Sequence, residues 1–213
     1  MKIIKFLTAI CIFFLSNTSN SFSLIEVDIT RGNLNPLPIA VSPLSQDNKS
    51  KKISQNNLNV EDLGLEIAKV IENNLIQSGL FNPLSKDAFL QKPDIAHLKP
   101  RFEDWSLIKA QALITGKVLI ENDKLKVEFR LWDVLAAREM LALAFTTVPS
   151  NWRRVGHIIT DKVYERLTGE KGYFDTRIIY VSEEGPKIQR VKKLAIMDQD
   201  GFNTKYLTLG NEL

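Results

Sequence analysis

Residues 145–181 read FTTVPSNWRRVGHIITDKVYERLTGEKGYFDTRIIYV, and within them one kind of structure ends and another begins. Ser150 or Asn151 can start a helix, because a short polar side chain there accepts a bond from an otherwise unpaired backbone N–H of the first turn. Trp152, Val155, Ile159, Val163 and Leu167 follow at helical spacing and stack on one face, while Arg153, Arg154, Asp161 and Glu165 point elsewhere. Such a face has to be buried. Gly169 stands where a helix needs a left-handed residue to stop, and Gly172 lets the chain turn again before the strand-like TRIIYV. The stretch therefore reads as a junction between two domains, with Gly169 and Gly172 as its hinge and Arg177 as a residue that ties it by an ion pair.

Working towards the N-terminus, the clearest β signal precedes this junction: residues 112–120, 125–134 and 139–148, joined by short connections that make an antiparallel meander. In the middle strand Val127, Phe129, Leu131 and Asp133 share one side and Lys126, Glu128, Arg130 and Trp132 the other, which predicts one packed and one largely wet face. A second long helix is expected over residues 60–78, capped by Asn59 with Asp62 in the third position, bearing Leu63, Ile67, Val70, Ile71 and Asn74 on one face and ending at Gly79. Residues 25–30 alternate as a strand, residues 37–41 read as a more fully buried one, and residues 80–84 as a short one. Residues 42–59 turn to Ser, Asn, Gln and Lys and are expected to be a mobile loop, whose Lys49, Lys51 and Lys52 read as solvated. The fold class that results is α/β, a mixed sheet with two long helices on one face. Beyond Gly172, residues 176–182, 191–197 and 204–208 give only short, closely spaced strands, the pattern of a propeller blade that needs a neighbouring sheet to cover it.

At the start, Lys2 and Lys5 flank an apolar run over residues 3–15, followed by small polar residues up to Ser23, the layout of a cleaved secretory signal peptide. The run is shorter than the roughly 20 residues of a spanning helix, so export is expected rather than anchoring. Cleavage would remove the one cysteine, Cys11, and with it any disulfide, thiol nucleophile or thiolate ligand. It would also remove two lysines from a chain with 28 basic and 25 acidic residues, bringing the charge close to balance and leaving no footprint for nucleic acid.

No residue pattern assembles a catalytic or metal centre. His97 and His157, the two histidines, lack the neighbours of a zinc motif or a hydrolytic triad and read as structural or solvent-exposed. Asp198-Gln199-Asp200-Gly201 opens like a calcium loop, but Leu209 stands where such a loop needs its bidentate carboxylate, so a hairpin turn is the simpler reading. The glycines and Lys171 of residues 168–172 follow a helix instead of preceding one, the wrong end for phosphate. Arg153 and Arg154 either hold an acidic partner or sit free at the surface. No cofactor, metal or small-molecule substrate is expected.

Four segments, NPLPIAVSP, KVEFRLWDV, NWRRVGHIITDKVYERLTGEKGYFDTRIIYV and KKLAIMDQDGFNTKYLT, resemble the TolB family in order and across nearly the whole exported chain. The resemblance implies a signal peptide over residues 1–23, an α/β domain over 24–170 and the start of a β-propeller over 171–213, with Leu213 falling inside the first, incomplete blade. It implies a monomeric, non-enzymatic adaptor of the Tol-Pal system in the periplasm, reaching the membrane only through its partners TolA and Pal and supporting outer-membrane integrity, protein import and constriction at cell division. Residues 24–33 match the family's TolA-binding segment, which places Ile25, Glu26, Val27, Asp28, Ile29 and Arg31 as partner-binding residues. Such a strand, with a free edge, can add to a partner's sheet or dock on its own domain. The alternative is an envelope hydrolase with its catalytic residues on propeller blades beyond this sequence.

Overall fold

The computed structural model describes residue 25, residues 35–46 and residues 60–210. A mixed sheet forms first. Strands β1 (Leu37–Val41), β2 (Ser45–Gln46) and β3 (Phe81–Pro83) join a long meander of β4 (Ala112–Glu121), β5 (Lys124–Asp133) and β6 (Arg138–Thr147). The order is β3-β1-β4-β5-β6, with β2 also paired to β4. The β1–β3, β1–β4 and β2–β4 pairs are parallel and the two meander pairs antiparallel. Between β1 and β2 the chain breaks at Pro43 and resumes along the same neighbour, Ile39 lying opposite Ala112 and Ser45 opposite Lys117.

Two long helices, α1 (Val60–Gln77) and α4 (Trp152–Thr168), cover one face of this sheet. Leu63, Ile67, Ile71 and Leu75 of α1 meet Val155, Ile159, Val163 and Leu167 of α4 over Ile39, Ile114, Val127 and Phe129. The helices approach closely because position 156 is glycine: a Cβ there would stand 2.8 Å from Val70 Cγ1. Ile25 lies half-buried against the same core. The expected caps shift in detail. Asn151 is the N-cap of α4, at the end of a 3-10 turn over Pro149–Asn151, but its side chain donates to Thr147 Oγ1 at 3.2 Å instead of capping the helix.

Two expectations need correction. The opposite face of β5 is not wet along its whole length: the chain before β4 forms the short helices α2 (Pro93–Ala96) and α3 (Phe102–Leu107), and α3 brings Phe102 and Trp105 over its Trp132 end to build a second cluster. Trp105, Leu113, Trp132 and Val134 are buried there with Ala40 and Ala110, packed by Phe89, Phe102 and Ile108. The β5–β6 register shifts at Leu131/Trp132, leaving Met140 of β6 without an opposite residue, and Trp132, Asp133 and Val134 are all buried. The indoles are satisfied, Trp105 donating to Gln91 Oε1 at 3.1 Å and Trp132 to Thr115 Oγ1 at 2.8 Å. Nor does the loop expected over residues 42–59 begin at Ser42: Leu44 and Ser45 are buried, Leu44 accepts the close approach of Gly64, and β2 pairs with β4. Residues 47–59 lie outside the described residues.

After α4 the chain forms a separate antiparallel sheet of β7 (Arg177–Glu184), β8 (Val191–Asp198) and β9 (Lys205–Tyr206), in that order. Of its apolar residues only Ala195 is fully enclosed; Ile178, Ile179 and Val181 stay exposed. A meander with bare apolar residues is what a blade presents before another sheet stacks on it. Among the described residues no helix is long and apolar enough to cross a membrane.

Candidate functional site at the junction of the two sheets

The connection between the sheets is strapped to α4. Gly169 ends the helix at φ +76, its N–H bonded to Glu165 O at 2.9 Å. Three residues on, Gly172 passes so close to the helix that a Cβ would come within 2.4 Å of Asp161 Cα. The Asp161 carboxylate then takes two backbone amides of the strap, Phe174 N–H at 2.7 Å and Asp175 N–H at 3.1 Å. Phe174 is fully buried against Tyr164 and Tyr173. Asp175 in turn receives both Nε and Nη2 of Arg154 at 3.0 Å. Gly169 and Gly172 thus bound a connection fixed by side chains from the helix it leaves. Arg177 sits 3.7 Å from Asp198, its neighbour across β7–β8, so its ion pair lies within the second sheet.

A second attachment is made by the β8–β9 turn, which carries Gly201 at φ +86 as a hairpin should. This turn folds back onto the helix pair. Asp200 forms an ion pair with Arg153 of α4, and the Arg153 guanidinium lies 3.8 Å from the centroid of the Phe202 ring. Gln199 reaches further, its Nε2 donating to Asn74 Oδ1 on α1 at 3.0 Å. Asn74 is fully buried, and its Nδ2 donates both to His157 Nδ1 at 2.9 Å and to Thr160 Oγ1 at 3.2 Å. Thr160 passes its own hydroxyl proton to Gly156 O at 2.9 Å. Asn74 from α1, Arg153, His157 and Thr160 from α4, and Gln199 and Asp200 from the turn are therefore joined in a largely buried polar clasp.

The direction of this chain of bonds fixes the imidazole. Asn74 offers only N–H to His157 Nδ1, so Nδ1 accepts and the proton of neutral His157 sits on Nε2. That nitrogen is buried, has no hydrogen-bond partner and lies 3.6 Å from Asp200 Oδ2. Burial pushes the imidazole below its ordinary value, the Asp200 carboxylate pulls it up and Arg153 pushes it down again, with the net direction downward. His157, Asp198 and Asp200 do bring ligand-type atoms within 4.8 Å of one another. Arg153 already supplies the positive charge there, however, and the Nε2 that faces the carboxylates carries a proton instead of a free lone pair. The arrangement is that of a structural clasp between parts of the chain.

Of the residues named from sequence, Gly169, Gly172 and Arg177 are gathered at this junction, whereas Ile25 lies against the main core and Glu26, Val27, Asp28, Ile29 and Arg31 are outside the described residues. His157 is structural and 2% exposed; His97 is half-buried, far from it in the chain, and held below its ordinary value by burial and by Arg130 and Lys117. Asn74 was visible as a polar residue on an otherwise apolar helix face, the one signal that pointed to the clasp. Nothing local to Gln199 or Asp200 pointed to partners as far back as Asn74, 125 residues away in sequence for Gln199.

A mixed α/β layer leading by a strapped connection into an up-and-down β-sheet defines an α/β domain coupled to a propeller-type sheet. The chain belongs to the TolB family: residues 25–140 match the family described as the TolB amino-terminal domain. It is 81% identical over 193 residues to the Tol-Pal system protein TolB of Pelagibacter ubique, a match that covers 91% of this chain and 43% of that protein. The chain thus spans less than half the length of this relative. The crystal structure of TolB from Acinetobacter baumannii shares its fold, with a TM-score of 0.65 at 24% identity over 87% of this chain and 41% of that one.

Proposed function

We propose that this chain serves the Tol-Pal envelope system as a periplasmic, non-enzymatic adaptor, with the strand of residues 24–33 binding TolA and the protein linking to Pal. The observation that carries the reading is the family match over residues 25–140 together with a close relative named as a Tol-Pal system protein. Physical chemistry supports the mode of binding. Residues 25–30 alternate apolar and polar side chains, so strand addition to a partner's sheet gains main-chain hydrogen bonds while Ile25, Val27 and Ile29 fill pockets. In the described structure Ile25 is only half-buried against the core, so its contact is one that release to a partner can exchange. The domain division falls near residue 170, with Gly169, Gly172 and Arg177 around the hinge and the residues beyond it beginning the propeller.

Titration calorimetry of residues 24–213 against the C-terminal domain of TolA, beside a chain starting at residue 34, tests the adaptor. Heat that disappears with the first ten residues supports it. Equal heat from both, or none from a chain shown by circular dichroism to be folded, refutes the strand as the ligand.

A further inference from the structure

We propose that the Asn74–His157–Asp200 clasp is an acid-released latch: at neutral pH it holds the 198–203 turn on the helix pair, and protonation of His157 opens it. The geometry sets the direction. His157 accepts at Nδ1 from the Asn74 amide, and it already carries its single neutral proton on Nε2. A second proton must go to Nδ1, where it meets the Asn74 N–H head-on. To relieve this, the amide has to turn over, and Asn74 Oδ1 then leaves Gln199 Nε2, the bond that ties the turn to α1. The same rotation takes the N–H away from Thr160 Oγ1. One proton therefore disrupts bonds on both helices and the turn.

The charged groups around the ring do not reverse this. From the turn, Asp200 and, further off, Asp198 favour the imidazolium, and so does Asp175 of the strap; from α4 itself Arg153 opposes it. Asp200, the nearest carboxylate, is already paired with Arg153 and lies 3.6 Å from Nε2, so it offers the ring a long contact with charge partly neutralised. Burial opposes the charge on the ring most strongly, and His157 is held below its ordinary 6.5. The sign follows by linkage: the closed latch binds the proton more weakly than the open one. Closed-state stability is intact above about pH 6.5 and is lost as pH falls from there to the lowered value of the closed state.

The test is NMR on the exported chain. Long-range nitrogen correlations report the His157 tautomer and its titration, and amide exchange at Asp198, Gln199 and Gly201, corrected for intrinsic rates, reports opening. The expected result is an Nε2–H tautomer titrating below 6.5, and an opening constant that rises by up to about tenfold per pH unit below that point. Core amides such as Phe129 should hold steady. In Asn74→Asp the carboxylate accepts from a protonated Nδ1, so His157 should titrate above 6.5 and acid should no longer open the turn. His157→Gln should give a pH-independent opening constant. An Nδ1–H tautomer, protection at Gln199 that is flat from about pH 7.5 to about 5.5, or an Asn74→Asp chain that opens in acid like the parent would each overturn the latch. None of these readouts involves TolA or Pal, so the latch and the adaptor role fail independently.

Discussion

Replacing Gly156 by alanine probes the helix contact on which the clasp depends. The new Cβ would stand 2.8 Å from Val70 Cγ1 and 3.0 Å from Val70 Cβ, closer than carbon atoms pack, with Ile67 O at 3.5 Å behind. Valine cannot easily yield, since a β-branched side chain in a helix holds one rotamer, and overpacking of this kind costs about 1–3 kcal/mol. Alanine regains about 1 kcal/mol of helix propensity over glycine, so a net loss of about 0–2 kcal/mol is expected. A second substitution isolates the clash. Val70→Ala alone loses a nearly buried side chain, but in the double variant it also makes room for the methyl group at 156, so the pair should be more stable than the sum of the singles by about 1–3 kcal/mol. Urea unfolding of the four chains, followed by far-ultraviolet circular dichroism, gives the cycle. Additive singles would mean that the helices part without cost at this point and would refute the account of Gly156 as the close-contact residue.

Asp161→Ala should free the strap: two backbone N–H groups lose a carboxylate acceptor, for about 2–4 kcal/mol, and exchange of the Phe174 and Asp175 amides should rise well before global unfolding. Gln91→Leu removes the acceptor of the buried Trp105 indole and of the Arg101 N–H, as well as the donor to Lys99 O, so a loss of about 2–4 kcal/mol with a shifted tryptophan emission is expected in denaturant titration. Trp132→Phe deletes the donor to the fully buried Thr115 hydroxyl and part of the second cluster, for about 1–3 kcal/mol; a thermal midpoint unchanged from the parent would contradict that packing.

What sequence reveals here is periodicity, and periodicity reports which side of an element is buried. Val127, Phe129 and Leu131 therefore announced the packed face of β5, and Trp152 to Leu167 announced that of α4. What lies on the other side is not encoded locally. Lys126, Glu128 and Arg130 made the second face of β5 look wet, and only the three-dimensional placement of Trp105 and Phe102 turns its end at Trp132 into a core. The hairpin at Gly201 was legible because a positive φ is a local demand. Its landing place was not, because Asn74, His157 and Arg153 meet it only once both helices have docked. A helix face interrupted by one buried asparagine is nonetheless a readable mark, since a buried amide has to find partners.

Strand β1 lies between β3 and β4, and β2, which follows it, pairs with β4 as well. Both neighbours come later in the chain, β4 from Ala112 onward. A nascent polypeptide emerging N-terminus first therefore holds β1 without its β3 neighbour until Pro83 has been made and without its β4 neighbour until Ala112, and only then can the sheet close. Completion of this layer is therefore delayed by its own topology, since the strands that flank β1 lie far from it in sequence.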